Sequence, residues 1–211
     1  MTKTELLRTA KPILFNTDMV RAILDGRKTV TRRICKDGND YVEPDMSFYD
    51  ANKRTYAVHN YANKEHTKKL SLAERICPIC PSDILYVRET YCPNYFDFTT
   101  QYGNGHGYKA DYDNAILSSN IPKPKWTPSL HMPKQAARIF LKVKDVRAER
   151  LQDMETIDDR NYISEGVKDK HDFIHIWDAT VKDKEKYGWY ANPWVWVIEF
   201  ERIYPDDYME V

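Results

Sequence analysis

Between Gly26 and Lys36 the chain carries five cations, Arg27, Lys28, Arg32, Arg33 and Lys36, with no acid among them and with Thr29 and Thr31 interspersed. Arginine offers a planar fork that matches two oxygens of a phosphate, and lysine a mobile point charge. The same residue types allow hydrolysis. A threonine hydroxyl attacks an amide once a base takes its proton, and a lysine whose pKa is lowered by desolvation and neighbouring arginines is such a base. A carboxylate must then carry a proton to the leaving amine. A plainer cause also operates, because cations after a helix answer the negative end of its dipole. For Lys28 the bland alternative is a phosphate contact without catalysis; for Thr31 it is a turn hydroxyl bonded to backbone.

Further residues are candidates for the same pocket. Glu89 closes a predicted strand beside Arg88, and is read first as an ion-pair partner of Arg33 or Arg88 and second as a pocket carboxylate. His131 precedes the strand that carries Arg138; both are candidate ligand contacts, although a lone histidine is more often a structural hydrogen-bonder. Cys77-Pro78-Ile79-Cys80 has the spacing of half a zinc site. Cys35, Cys92, His59 and His66 offer neither a second such pair nor a paired-histidine spacing, so free thiols and no metal are expected. The pair precedes a strand rather than opening a helix, against a thioredoxin-like role. Tyr102, Tyr108 and Tyr112 are placed to stack on bases of single-stranded RNA or, equally, to form the small core of a covering hairpin.

The elements that must position these groups follow from hydrophobic period. Residues 1–11 are polar and read as a loose arm. Ile13 to Phe15 predict a short strand. Asn16 or Thr17 then caps a helix over 17–25, whose Met19, Val20, Ile23 and Leu24 share a face and which Gly26 stops. Polar stretches at about 36–80 and 93–125 read as insertions, the second with a strand at Gly107 to Asp111. Strands are predicted at Ile84 to Thr90, Ala136 to Val146 and Trp194 to Arg202. Thr156 with Asp159 starts a short helix ending near Gly166, and a second helix follows over about 171–182. Strands and helices mix without βαβ regularity, so the class is α+β, as a single domain over 1–211.

The bulk numbers bound the function. Lysine plus arginine equals aspartate plus glutamate at 32 each, so a nucleic-acid site has to be a local patch. The longest apolar run is too short to span a bilayer, no signal-peptide order opens the chain, and four cysteines are few for a disulfide-stapled domain. A cytoplasmic protein with no membrane partner and no cofactor is expected; oligomeric state is open.

Gly26-Arg27-Lys28-Thr29-Val30-Thr31-Arg32-Arg33 resembles the G-x-K-x-x-x-x-R signature of ASCH domains. Lys11 to Phe15, Met19 to Leu24, Ser82 to Thr90 and Asn192 to Phe200 are similar to further segments of that family, chiefly to members from phages and prophages. The resemblance covers residues 11–34, 82–92 and 126–203. It implies a PUA-like small β-barrel with flanking helices that binds RNA or a modified nucleoside in a basic cleft. Arg27, Lys28, Arg32, Arg33, Arg88, Glu89, His131 and Arg138 are the residues expected to contact the ligand. One branch of the family, the bacterial acetylcytidine amidohydrolases, has a Lys and a Thr in G-R-K-T-x-T and a Glu on a later helix. Lys28 and Thr31 match the first two, and Ile157 to Gly166 places Glu165 at the third. This chain is about twice as long as that branch. An exposed helix acid is the bland alternative for Glu165. Three functions follow as alternatives: recognition of RNA or a modified nucleoside, an amidohydrolase or related RNA-processing hydrolase, and a protein-interaction module accessory to phage growth.

Overall fold

The computed structural model describes residues 1–35, 49–50, 55–56, 77–96, 103–112, 124–155 and 160–206. In chain order the elements are α1 (Lys3–Thr9), β1 (Lys11–Leu14), α2 (Thr17–Leu24), β2 (Val30–Ile34), β3 (Tyr49–Asp50), β4 (Thr55–Tyr56), β5 (Ile84–Arg88), β6 (Tyr91–Phe96) and β7 (Gly103–Tyr108). They continue with β8 (Phe140–Arg150), α3 (Arg160–Ser164), α4 (Lys170–Thr180), α5 (Lys184–Tyr187) and β9 (Trp194–Ile203). The fold is mixed: a five-stranded sheet in the order β1-β5-β8-β9-β2, two two-stranded sheets, β3-β4 and β6-β7, and short helices. Among the described residues this order is open, with β1 and β2 at its ends. No helix there is long and apolar enough to cross a membrane.

The chain divides into two compact units. The first comprises Met1–Arg27, Ile84–Lys142 and Arg202–Val211. Its polar beginning is a helix and not a loose arm. Thr2 Oγ accepts from the Glu5 N–H at 3.3 Å, and the Glu5 carboxylate accepts from the Thr2 N–H at 2.8 Å. This capping box satisfies two helix-end donors, and burial of Leu6 among Ala10, Tyr86, Tyr91, Met132 and Phe140 anchors the turn. In α2, Asn16 Oδ1 caps the Met19 N–H at 2.8 Å, and Met19, Val20, Ala22 and Ile23 are buried. Gly26 ends it at φ +73°, where a side chain would be strained. β1 runs parallel to β5, pairing Lys11 with Leu85 through Leu14 with Arg88. β7 ends at Tyr108. The strand expected over Gly107 to Asp111 is there a 3₁₀ turn, Lys109–Asp111.

The second unit comprises Lys28–Asp83 and Val143–Glu201. Here the expected basic loop turns out to be largely a strand. β2 pairs antiparallel with β9, Val30 with Glu199 through Ile34 with Val195. β-branched Val30, Thr31 and Ile34 suit that role. β9 is buried at Val195, Trp196, Val197 and Ile198 in succession, so both its faces are covered and no clean alternation remains. β8 begins later and runs further than expected, because Lys134–Ala136 is a 3₁₀ turn. Asp169 caps α4, whose Phe173 stacks on Trp177 at 6.0 Å and meets Trp189 edge-on at 5.9 Å. The capping box expected at Thr156 and Asp159, and most of both insertions, lie outside the described residues.

Candidate functional site

Lys28 precedes β2 and is fixed by its neighbour. The Thr29 N–H donates to Ser164 O at 2.9 Å, and Thr29 O accepts from the Phe200 N–H at 2.9 Å, so the start of β2 is tied to α3 and to β9. Glu165 follows α3 at a tight helix end. Gly166 N–H donates to Ile163 O at 2.8 Å, Val167 N–H to Tyr162 O at 3.1 Å, and Gly166 takes φ +85°. Tyr162, buried and 5.9 Å from the Phe173 ring, anchors that turn.

Those two segments bring together groups 137 residues apart. Lys28 Nζ donates to Glu165 Oε2 at 2.8 Å, to Glu165 O at 2.6 Å and to Val30 O at 2.7 Å. Three acceptors match the three donors of an ammonium. Arg32 Nη1 donates to Glu165 Oε1 at 2.8 Å, so the carboxylate bridges two cations. Lys28, Arg32 and Glu165 are 3, 5 and 4% exposed, so their charges interact without much solvent screening. Burial pushes the Lys28 ammonium below its ordinary range; Glu165 pulls the other way, and Arg33 and Arg32 add to the lowering. Thr31 is buried, and its Oγ accepts from Arg33 Nη1 at 2.7 Å. A hydroxyl that accepts from a guanidinium is a better proton donor.

The network continues beyond the residues foreseen in the sequence. Arg32 Nη2 lies 3.6 Å from Glu149 Oε2; Glu149 also pairs with Arg147, which pairs in turn with Glu199 and with Asp145 at 3.3 Å. Alternating charge therefore runs from buried Lys28 and Glu165 through Arg32 and Glu149 to half-exposed Glu199. Asp145, Arg147 and Glu149 stand at period two on β8, an alternation of charge that is legible in the sequence.

Glu89, Arg138, Arg88, His131 and Arg27 belong to the first unit. Glu89 pairs neither with Arg33 nor with Arg88. Its two oxygens accept from Arg138 Nε at 2.9 Å and Nη2 at 3.0 Å, a two-pronged pair that Asp111 joins at 3.1 Å. The Arg138 guanidinium lies 4.0 Å from the Tyr108 ring centroid. Burial pushes the Glu89 carboxyl up against the pull of Arg138. Arg88 Nη2 donates to Leu130 O, His131 is exposed, and Arg27 pairs with Asp25 at 2.9 Å on the surface. Cys77 and Cys80 are buried thiols; Cys80 N–H donates to Asp83 Oδ2 at 2.7 Å. Among the described residues no three His, Cys, Asp or Glu side chains are grouped to hold a metal ion. His59, His66 and Tyr102 lie outside them, and Tyr112 packs edge-on to Trp126 at 5.2 Å.

Comparison with protein-family models, with curated proteins and with solved structures finds no match to this chain.

Proposed function

We propose that the protein is an ASCH-type, PUA-like domain that recognises a modified nucleoside and hydrolyses its acyl amide at Lys28, Thr31 and Glu165. The observation that carries this reading is the buried contact of Lys28 Nζ with Glu165 Oε2, 2.8 Å across 137 residues. A surface acid far along the chain has little chance of meeting one particular lysine. Burial, which lowers the Lys28 pKa, supports it further, because a neutral amine is the base that Thr31 needs. The amine, which in the structure bonds Val30 and Glu165, has to reach the Thr31 hydroxyl, now bonded to Arg33, and takes its proton as Oγ attacks the acyl carbonyl. Glu165 relays that proton from the Lys28 ammonium to the leaving nitrogen, giving free amine and a threonine ester. Water opens the ester, releasing the acid and returning the hydroxyl. Arg33, donating to Thr31 Oγ, favours the oxyanion character that attack requires.

A second reading, recognition without turnover, has its own support: the acceptors around Lys28 already match its donors, and Thr31 Oγ is occupied by Arg33. Extended RNA-backbone binding gains less, since Lys28 and Arg32 are buried and paired internally with Glu165 and Glu149. Incubation with acetylcytidine decides between them. Acetate release that is lost in Thr31→Ala and in Lys28→Ala is expected. Binding without release from any acylated nucleoside leaves recognition alone, and neither binding nor release removes both.

A further inference from the structure

The carboxylate of Glu165 is held at two points. Lys28 Nζ takes Oε2 at 2.8 Å and the Glu165 carbonyl at 2.6 Å, so the lysine grips side chain and backbone together. Under that grip alone the carboxylate can still turn about its own bonds. Arg32 Nη1, donating to Oε1 at 2.8 Å, stops the turn. The guanidinium is itself fixed from two sides. Arg32 stands on β2 in register opposite Val197, and its Nη2 faces Glu149 Oε2 at 3.6 Å. Glu149 is paired with Arg147, which Glu199 on β9 and Asp145 on β8 also hold. A planar fork can face two carboxylates along two fixed lines, and an ammonium cannot.

Stability alone does not account for this residue. Arg32 is 5% exposed, and its Nε is buried without a hydrogen-bond partner. A buried N–H left unpaired is unfavourable, and apolar groups of similar volume often replace a buried charge network without loss of stability. The orientation that strands Nε is the one that places Nη1 on Glu165 and turns Nη2 towards Glu149. We infer that Arg32 is a positioning residue, which holds Oε1 of Glu165 so that Oε2 stays with Lys28 for the proton relay. It acts through Glu165 and not as the ligand contact expected from the sequence. The inference rests on the hydrolytic reading above. Arg32 also acts on Lys28 through its charge. Burial lowers the Lys28 pKa most, Glu165 raises it, and Arg33 and Arg32 lower it further. Without the Arg32 charge one lowering influence is gone, and Glu165 is left to Lys28 and Arg33. Both changes move the Lys28 pKa up. Glu149, Arg147, Glu199 and Asp145 stand behind Arg32 and keep their charges in the variants below.

The test follows acetate release from acetylcytidine against pH for the wild-type protein, Arg32→Lys and Arg32→Met, with circular dichroism to show that each is folded at the assay temperature. Arg32→Lys keeps a cation and loses the fork. It is expected to lower kcat roughly tenfold to a hundredfold with KM unchanged, as misplaced reacting groups do. Arg32→Met loses the charge as well, so the acid limb of its profile is expected to move to higher pH, where the Lys28 amine forms. Should Arg32→Met fail to fold, the kcat of Arg32→Lys still decides. A merely structural arginine would lower the melting temperature of both variants and leave kcat per folded molecule and the acid limb as they were. That result overturns the inference and leaves the proposed function standing. A raised KM at unchanged kcat overturns it too, because Arg32 would then be a ligand contact. No acetate release by the wild-type protein at any pH overturns both.

Discussion

At the scale of single residues, Glu165 carries the most consequence. Its carboxylate lies between Lys28 and Arg32, all three nearly closed to solvent. Glu165→Gln keeps the shape and removes the charge, so two buried cations lose their counter-ion. Breaking a buried pair in this way costs about 3–5 kcal/mol. Urea unfolding of the variant is expected to show a lower midpoint with an unchanged slope; an unaltered midpoint would mean that the network is relaxed in solution. Lys28 gives a pH signature with a definite sign. Its folded pKa lies below its unfolded value of about 10.4, so between the two the unfolded chain binds more protons. The contribution of Lys28 to stability therefore rises with pH through that window, and below the folded pKa the cost of its buried charge is fully felt. Lys28→Met should lack that rise when the two proteins are unfolded in urea from neutral to alkaline pH. Parallel curves would place the ammonium in water.

At the scale of elements, two short helices depend on features that a hydrophobic-period reading passes over. α1 rests on the Thr2–Glu5 box and on one buried leucine. Leu6→Ala leaves a cavity beside Phe140 and Met132 and is expected to cost about 2–5 kcal/mol; loss of less than half a kcal/mol on chemical unfolding would return the segment to a loose arm. At the end of α5, Gly188 N–H donates to Lys184 O at 3.0 Å, and a Cβ built on Gly188 would lie 2.5 Å from that same oxygen. Backbone on both sides must shift to admit alanine. Gly188→Ala should therefore lower the melting temperature by several degrees, for a cost of about 1–3 kcal/mol, and calorimetry reads it directly. The glycine is required here for space and not for an unusual φ.

At the scale of the whole molecule, a neutral chain has placed its central cations inside. Lys28, Arg32 and Arg138 each face carboxylates, and Arg27 is paired with Asp25 on the surface. Few of these are left to displace counterions from a polyanion. Binding to single-stranded RNA, followed by fluorescence anisotropy over a salt series, is expected to give a log–log slope shallower than about −2, against roughly −0.7 for each phosphate contact. A steeper slope would locate a phosphate-binding surface elsewhere on the chain and favour RNA over a nucleoside.

Much of the architecture was legible in local pattern. The Asn16 cap, the apolar face of Met19, Val20 and Ile23 and the Gly26 stop mark α2, because helix-end chemistry is local. β5 and β9 announced themselves by runs of β-branched and aromatic residues. That Lys28, Thr31, Arg32 and Arg33 deserved attention was also plain from residue type, since five cations without an acid demand a partner. Which partner was a matter for the tertiary structure. Glu89 stood beside Arg88 in the chain and pairs with Arg138; Glu165 had no sequence neighbour to claim it, only a resemblance of residues 157–166, and bridges Lys28 and Arg32. Local pattern records propensity and period, whereas an ion pair depends on which segments the sheet register and the helix ends bring within about 3 Å. The sequence by itself determined the neutral charge, the two apolar periods and the basic cluster. Only the folded chain turned the middle of that cluster into a strand and withdrew Lys28 and Arg32 from water, because burial and pairing are properties of neighbours in space, not of neighbours in sequence.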